Sequence, residues 1–192
     1  NRVIIGDFPI LDSQVQPASL DLRLSNKAVR VRASFLAGRG VNVSERLKLF
    51  KMHEVDLSDG AVLEKGCVYV IPLMESIDLP LNLQAVCNAK SSTGRLDLLT
   101  RVITDGGVEF DRVQSGYSGP LFVEICPRSF SVLVRPGMRL NQIRFKGGSS
   151  ILSDKELQNL HKKEVLVSSD PHIDNGLGFS VDLKSNKKDL IG

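Results

Sequence analysis

Short apolar runs broken by turn residues dominate this chain, and most of them repeat with a period of two. Ala18 to Leu24 alternates apolar and polar positions, as a half-buried strand does. Ala28 to Arg32 repeats the pattern with Val29 and Val31 on one face. Gly66 to Leu73 is β-branched and aromatic, which predicts a buried strand ending at Pro72. Leu79-Pro80 forces an extended step or turn before a strand over Leu83 to Cys87. Val108 to Phe110, Leu121 to Ile125, Ser131 to Val134 and Arg139 to Phe145 read as further strands. Gly106-Gly107, Ser118-Gly119-Pro120, Arg135-Pro136-Gly137 and Gly147-Gly148 punctuate them. A short helix over Glu45 to Met52 is the one interruption before residue 150. Many short strands with regular turns predict an all-β sandwich, jelly roll or barrel.

The pattern changes after residue 150. Ser153-Asp154-Lys155-Glu156 matches a capping box, with Leu157 and Leu160 following at helical spacing, so a short C-terminal helix is expected from about Ser153 to Lys163. Asp174-Asn175-Gly176 then turns into a strand over Leu177 to Lys184, where Ser180 to Lys184 echoes Ser19 to Arg23. The expected organisation is one domain over 1–150, a helix and linker over 151–175, and the start of a truncated second repeat over 176–192. The chain also opens on Asn1 rather than Met, so native sequence upstream is expected.

With 192 residues and 42% hydrophobic content, one ordinary core is within reach. The net charge is only +3 and no long basic run is present, which argues against a nucleic-acid surface. No apolar stretch approaches the roughly 18 residues of a membrane helix. Cys67, Cys87 and Cys126 are unclustered and odd in number, which fits reduced thiols in a cytoplasmic protein.

The candidate chemistry sits in two segments. Lys90-Ser91-Ser92-Thr93-Gly94-Arg95 packs hydroxyls, a turn glycine and two cations together, the composition of a phosphate cradle. It is not a P-loop, since the GxxxxGK[ST] order is absent. Gly116 to Glu124 is a tight turn feeding a strand that carries one acid among apolar residues. An acid there is costly unless it is paired or used. Phe122 and Cys126 share its face, and Arg95 and Arg112 are its candidate partners. His53, His161 and His172 lack an acid or cysteine at ligand spacing, so no metal site is expected, and the zinc deaminase signature is missing. Asp105 and Asp111 read as loop residues.

Several blocks in the same order resemble the dCTP deaminase branch of the dUTPase-like superfamily: QPASLDLRL (Gln16 to Leu24), Gly66 to Leu83, AKSSTGR (Ala89 to Arg95), GYSGPLFVE (Gly116 to Glu124) and RPGMRLNQIRF (Arg135 to Phe145). The resemblance implies a distorted jelly roll or dUTPase-like barrel. It implies a homotrimer with active sites at subunit interfaces, and conversion of dCTP and water to dUTP and ammonia. Mg²⁺ would arrive on the triphosphate, zinc would be absent, and dTTP is an expected effector. The family's catalytic groups fall on Glu124, Arg95, Ser91 and Arg112. Nucleotide contacts fall on Lys90, Ser92, Gln114, Tyr117 and Gln142.

Two departures change the sugar side of that site: the family has an aspartate at Gln114 and a proline at Ser115. The stretch between Arg95 and Arg112 is longer than in the short enzymes, and no lid bearing Tyr, Lys and Gln is recognisable after Phe145. These traits resemble the longer, two-copy deaminases. Other readings remain open: a dUTP diphosphatase, an enzyme performing both steps, a non-catalytic nucleotide-binding module, or a purely structural jelly roll.

Overall fold

The computed structural model describes residues 4–5, 8–148 and 151–179. Two compact units divide the chain, residues 1–148 and 149–192. In the first unit the strands are β1 (Ile4–Ile5), β2 (Val15–Gln16), β3 (Ser19–Arg23), β4 (Lys27–Val31), β5 (Lys51–Asp56), β6 (Ala61–Leu63), β7 (Val68–Asp78), β8 (Leu83–Ala89), β9 (Leu98–Thr104), β10 (Arg112–Val113), β11 (Ser118–Pro127), β12 (Val132–Val134) and β13 (Arg139–Gly147). Helix α1 spans Val43–Phe50 and helix α2 spans Ser91–Arg95.

Apart from β6 and β12, which pair with each other, these strands form two antiparallel sheets. The first runs β5-β4-β7-β11-β9, with β1 also paired to β7; the second runs β10-β8-β13-β3-β2. Their inner faces share one core, in which Leu20, Leu22, Ile71, Leu121, Val123, Ile125 and Ile143 are buried. This is the expected all-β, jelly-roll-like layering. The expectation of a barrel is not met: among the described residues the sheets remain separate layers and no ring of strands closes.

A second apolar cluster lies on the opposite face of the first sheet. Val29, Val31, Val70, Ile103 and Phe122 are covered there by Phe35, Ala37 and Val43. Phe35 stacks on Phe50 of α1 with centroids 5.0 Å apart. The first sheet is therefore covered on both faces. Along β11, Leu121, Val123 and Ile125 point to the main core and Phe122 to the second cluster, so alternation puts Glu124 on the second face.

Several expected elements shift. β3 is not half-buried: Asp21 and Arg23 are about as inaccessible as Leu20 and Leu22 beside them, because both side chains are paired. β7 does not end at Pro72 but runs on to Asp78. The proline, which has no N–H to give, falls beside the register shift between Pro120 and Phe122 of β11. Val108 to Phe110 forms no strand. It belongs to an excursion between β9 and β10 in which Gly38 N donates to Gly107 O at 2.9 Å and Gly106 N to Val41 O at 2.9 Å. A Cβ on Gly107 would sit 2.9 Å from the Thr104 carbonyl, so only glycine fits that turn.

A buried polar knot ties β3 to β7. Arg23 Nε donates to Glu75 Oε1 at 2.7 Å, and the Arg23 backbone N donates to Oε2 at 2.8 Å. Gln14 Nε2 adds bonds to Glu75 Oε1 at 2.9 Å and to the Asp21 carbonyl at 2.8 Å. Every oxygen of Glu75 is thereby answered.

The second unit contains helix α3 (Asp154–Lys163) and a ribbon of β14 (His172–Ile173) and β15 (Leu177–Gly178). The expected capping box forms: Ser153 N donates to Glu156 Oε2 at 2.8 Å, and Glu156 N to Ser153 Oγ at 3.4 Å. The proposed echo at Ser180 to Lys184 lies outside the described residues. Among those residues no helix is long and apolar enough to cross a membrane.

Replacing Glu75 with alanine strands the buried Arg23 guanidinium, which is expected to cost about 3 to 5 kcal/mol in chemical denaturation. A loss below about 1 kcal/mol would show that water replaces the carboxylate without difficulty.

Candidate functional site

Lys90 to Arg95 is not an irregular turn. Lys90 is extended and caps α2, with Gly94 N donating to Lys90 O at 3.0 Å. Thr93 anchors the helix, its buried hydroxyl donating to Leu140 O at 2.9 Å. That leaves Ser91, Ser92 and Arg95 exposed, and among the described residues their side chains make no hydrogen bond or ion pair with the rest of the chain.

Lys90 turns the other way, onto Asp21 Oδ2. Asp21 is 1% exposed, and its Oδ1 has no partner. Gln142 pairs with Asp21 in register across β13 and β3, and it accepts from Ser19 Oγ at 3.0 Å. Asp21 and Lys90 line a cleft of about 670 Å³ with Gln16, Arg135 and Arg139. Arg139 is fixed there by Nη1 bonds to Ser13 O at 2.6 Å and Ser13 Oγ at 3.2 Å. Three cations and one acid around an open cleft suit a polyanion.

The second cluster is built on β11. Glu124 is 2% exposed. Its partner is neither Arg95 nor Arg112, as the sequence suggested, but Arg101. The reason is register: Arg101 on β9 stands directly opposite Glu124, and both point to the same face. Arg101 Nη2 lies 2.5 Å and Nε 3.2 Å from Glu124 Oε1. Glu124 Oε2 is buried without a partner. The signal was present: Arg101 is a cation in an apolar strand, as anomalous there as Glu124 is in its own.

Arg112 is exposed on β10 and pairs with Glu109 at 2.7 Å, a surface contact easily exchanged for another. Gln114 is exposed, and its carbonyl accepts from Tyr117 N at 3.2 Å. Tyr117 is half-buried; its hydroxyl donates to Pro120 O at 2.6 Å and accepts from Asp105 N at 3.2 Å. Burial pushes this phenol up to about 12. Within one chain, then, the fold joins Lys90 with Asp21 and aligns Gln142 beside them. No hydrogen bond or ion pair among the described residues joins Glu124 to Ser91, Arg95 or Arg112.

Asp111 is more than a loop residue. It holds a left-handed backbone (φ 61°), and its carboxylate accepts from Val102 N at 2.7 Å. Its own N–H returns a bond to Val102 O at 2.9 Å, closing the excursion beside Arg101. Burial raises its carboxyl above the ordinary range, against the Val102 hydrogen bond and the Arg101 charge, which lower it. Cys87 is buried nearby; its N–H donates to Asp111 O at 2.8 Å, and burial raises the thiol, with the Asp111 charge adding to it. All three cysteines are unpaired thiols.

A jelly-roll layering that carries a cationic cleft and a buried, half-paired glutamate belongs with nucleotide-handling folds of the dUTPase-like kind. The model of the 2'-deoxycytidine 5'-triphosphate deaminase N-terminal domain matches residues 1–149, and the chain belongs to that family. A dCTP deaminase, dUMP-forming, of Coprothermobacter proteolyticus is 30% identical over 145 residues, covering 72% of this chain and 71% of the relative. A dCTP deaminase of Halorubrum lacusprofundi is 28% identical over 152 residues, covering 76% and 72%. The crystal structure of 2'-deoxycytidine 5'-triphosphate deaminase from Agrobacterium tumefaciens is 55% identical with a TM-score of 0.76, and covers 88% of this chain. This chain spans about half, 51%, of that protein's length.

Asp111 yields a pH prediction. Its folded-state pKa is raised, so the stability gained on protonation is full below the unfolded value and fades as pH rises through the folded one. Asn at 111 keeps an acceptor for Val102 N–H and tolerates the left-handed backbone. The melting temperature of Asp111→Asn relative to the parent should therefore rise between about pH 3 and pH 7. A difference that falls over that interval would contradict the burial argument.

Proposed function

We propose that this chain catalyses hydrolytic deamination of dCTP to dUTP and ammonia, with Glu124 as general base and no zinc ion. The observation that carries the reading is the state of Glu124. One carboxylate oxygen is held by Arg101, and the other is buried with no partner. A buried acceptor left unsatisfied is costly, and its retention is explained when the atom has a proton to take.

In the reaction, Oε2 takes a proton from water as the water oxygen attacks C4 of the cytosine ring. That proton goes to ring N3; the hydroxyl proton of the resulting C4 adduct then passes to the 4-amino group, the C4–N4 bond breaks, and ammonia leaves a 4-oxo ring that carries hydrogen on N3. Ser91 and Arg95 would hold the base and the attacking water, so that attack becomes effectively intramolecular. The exposed Arg112 would exchange Glu109 for the substrate or for Glu124. Lys90, Ser92 and Gln142 would take the triphosphate. Mg²⁺ carried on the triphosphate would neutralise phosphate charge, and Asp21, which lines the cleft and keeps one unpaired oxygen, would be the acid nearest to it. Gln114 and Tyr117 belong to the turn at the sugar side, Tyr117 by fixing its shape.

Because Ser91 and Arg95 make no contact with Glu124 inside one chain, we assign the complete site to two copies. In a homotrimer, α2 of one copy would face β11 of the next. Leu96 and Leu99 beside α2 are exposed apolar residues, at 52% and 40%, of the kind such an interface covers. A cytoplasmic setting fits the three free thiols, and dTTP would act as an effector at the same site.

A second reading follows from the relatives named as dUMP-forming: the same chain would also hydrolyse the dUTP it makes. Product analysis separates the two. With dCTP, the first reading gives ammonia and dUTP in equal amounts; the second adds pyrophosphate and dUMP. Glu124→Gln should lower ammonia release by on the order of 10² to 10⁴-fold while nucleotide still binds. Parent-level ammonia release from that variant would remove Glu124 from catalysis.

A further inference from the structure

Arg101 has no part in the reaction as described above, yet it is tightly constrained. Its guanidinium is held on three sides. Nη2 and Nε grip Glu124 Oε1 at 2.5 and 3.2 Å. Nη2 also donates to Ser34 Oγ at 2.9 Å. The group lies over the Phe110 ring, 3.8 Å from its centroid. Phe110 reaches that place only through the excursion between β9 and β10, whose turn is pinned to the segment before α1 by the Gly106 and Gly107 bonds and by Asp105 Oδ1, which accepts from Val43 N at 2.6 Å.

The chain supplies its own comparison. The buried Arg23–Glu75 pair saturates its carboxylate: Oε1 accepts twice and Oε2 once. The Arg101–Glu124 pair does not, since two guanidinium nitrogens, Nε and Nη2, converge on one oxygen and leave Oε2 empty. A pair that served the scaffold alone would gain from answering both oxygens.

We propose that Arg101 is a positioning residue for the deamination: with Ser34 and Phe110 fixing its plane, it anchors Glu124 through Oε1 and presents Oε2 as the single proton acceptor. The proposal rests on the reading of Glu124 as the general base. Two nitrogens on one oxygen, with the guanidinium itself clamped, fix the carboxylate's rotation as well as its place. Lysine offers one point charge and no plane, so it would keep the charge and lose the alignment.

The test uses the full chain carrying Arg101→Met, Arg101→Lys, Phe110→Leu or Glu124→Gln, with kcat and KM for dCTP and a melting curve for each. Arg101→Met should lose about 100-fold in kcat with KM within about threefold, because the acceptor is misplaced and substrate binding is not. Arg101→Lys should recover part of that loss. Millimolar guanidinium chloride should restore turnover to Arg101→Met and not to Glu124→Gln. Phe110→Leu keeps the ion pair and should lower kcat by several-fold at unchanged KM, so it carries the test together with Arg101→Lys if Arg101→Met does not fold. Parent kcat in Arg101→Met, a change confined to KM, or parent kcat in both Phe110→Leu and Arg101→Lys would overturn the proposal while leaving Glu124 as base. Parent turnover in Glu124→Gln would overturn the base reading and this proposal with it.

Discussion

Among the described residues three carboxylates lie almost wholly inside this small β fold, and each is held by one cation: Asp21 by Lys90, Glu75 by Arg23 and Glu124 by Arg101. The rest of the structure is arranged around that constraint. An ionised carboxylate removed from water costs several kcal/mol unless its charge and its lone pairs are answered nearby. β7 supplies Glu75 against β3, β9 supplies Arg101 against β11, and the chain entering α2 supplies Lys90 against β3. What differs among the three is saturation. Glu75 has every oxygen occupied and fastens two strands. Asp21 and Glu124 each keep one oxygen empty, and Asp21 does so beside the cleft where Lys90, Arg135 and Arg139 gather.

Function follows from the same asymmetry. A saturated pair has no capacity to bind or to move a proton. An unsaturated one has capacity already desolvated and oriented, so the reaction is spared much of the reorganisation that water would demand. The two empty oxygens sit on different sheets, one beside a cleft rich in arginine and lysine, the other against the cluster formed by Phe35, Ala37, Val43 and Phe110. That division suits a substrate with a polyanionic end and a flat, nearly neutral end. The proposal of a second copy has the same origin: α2 offers exposed hydroxyls and a cation, and among the described residues no acid bonds to them.

Much of this was legible in the sequence. The apolar periodicity found most strands, because a strand with one wet face must alternate; it misjudged β3, whose polar residues are paired and so buried as deeply as its leucines. Pro72 was read as a stop, since a proline in mid-sheet removes a ladder bond, but a register shift on β11 supplies the gap it needs. The serine- and glycine-containing run before Arg95 hid a five-residue helix, whose anchor is the contact of Thr93 with Leu140, a partner 47 residues distant. Glu124, Lys90 and Gln142 were singled out from residue type and family pattern. Arg101 was missed because its meaning lies in cross-strand register, which a single sequence does not print. Phe110 was misread for a related reason: its neighbours look β-like, but glycines and a backbone hydrogen-bond frame hold them in a loop.

The most direct measurement is a crystal structure of the Glu124→Gln protein with dCTP bound. The account predicts the 4-amino edge of the cytosine ring within one water of the side chain at 124, with the triphosphate against Lys90 and Ser92 and with Arg101 still gripping residue 124 from the far side. A pyrimidine ring seated away from β11, with residue 124 closed off and only Arg101 beside it, would contradict it.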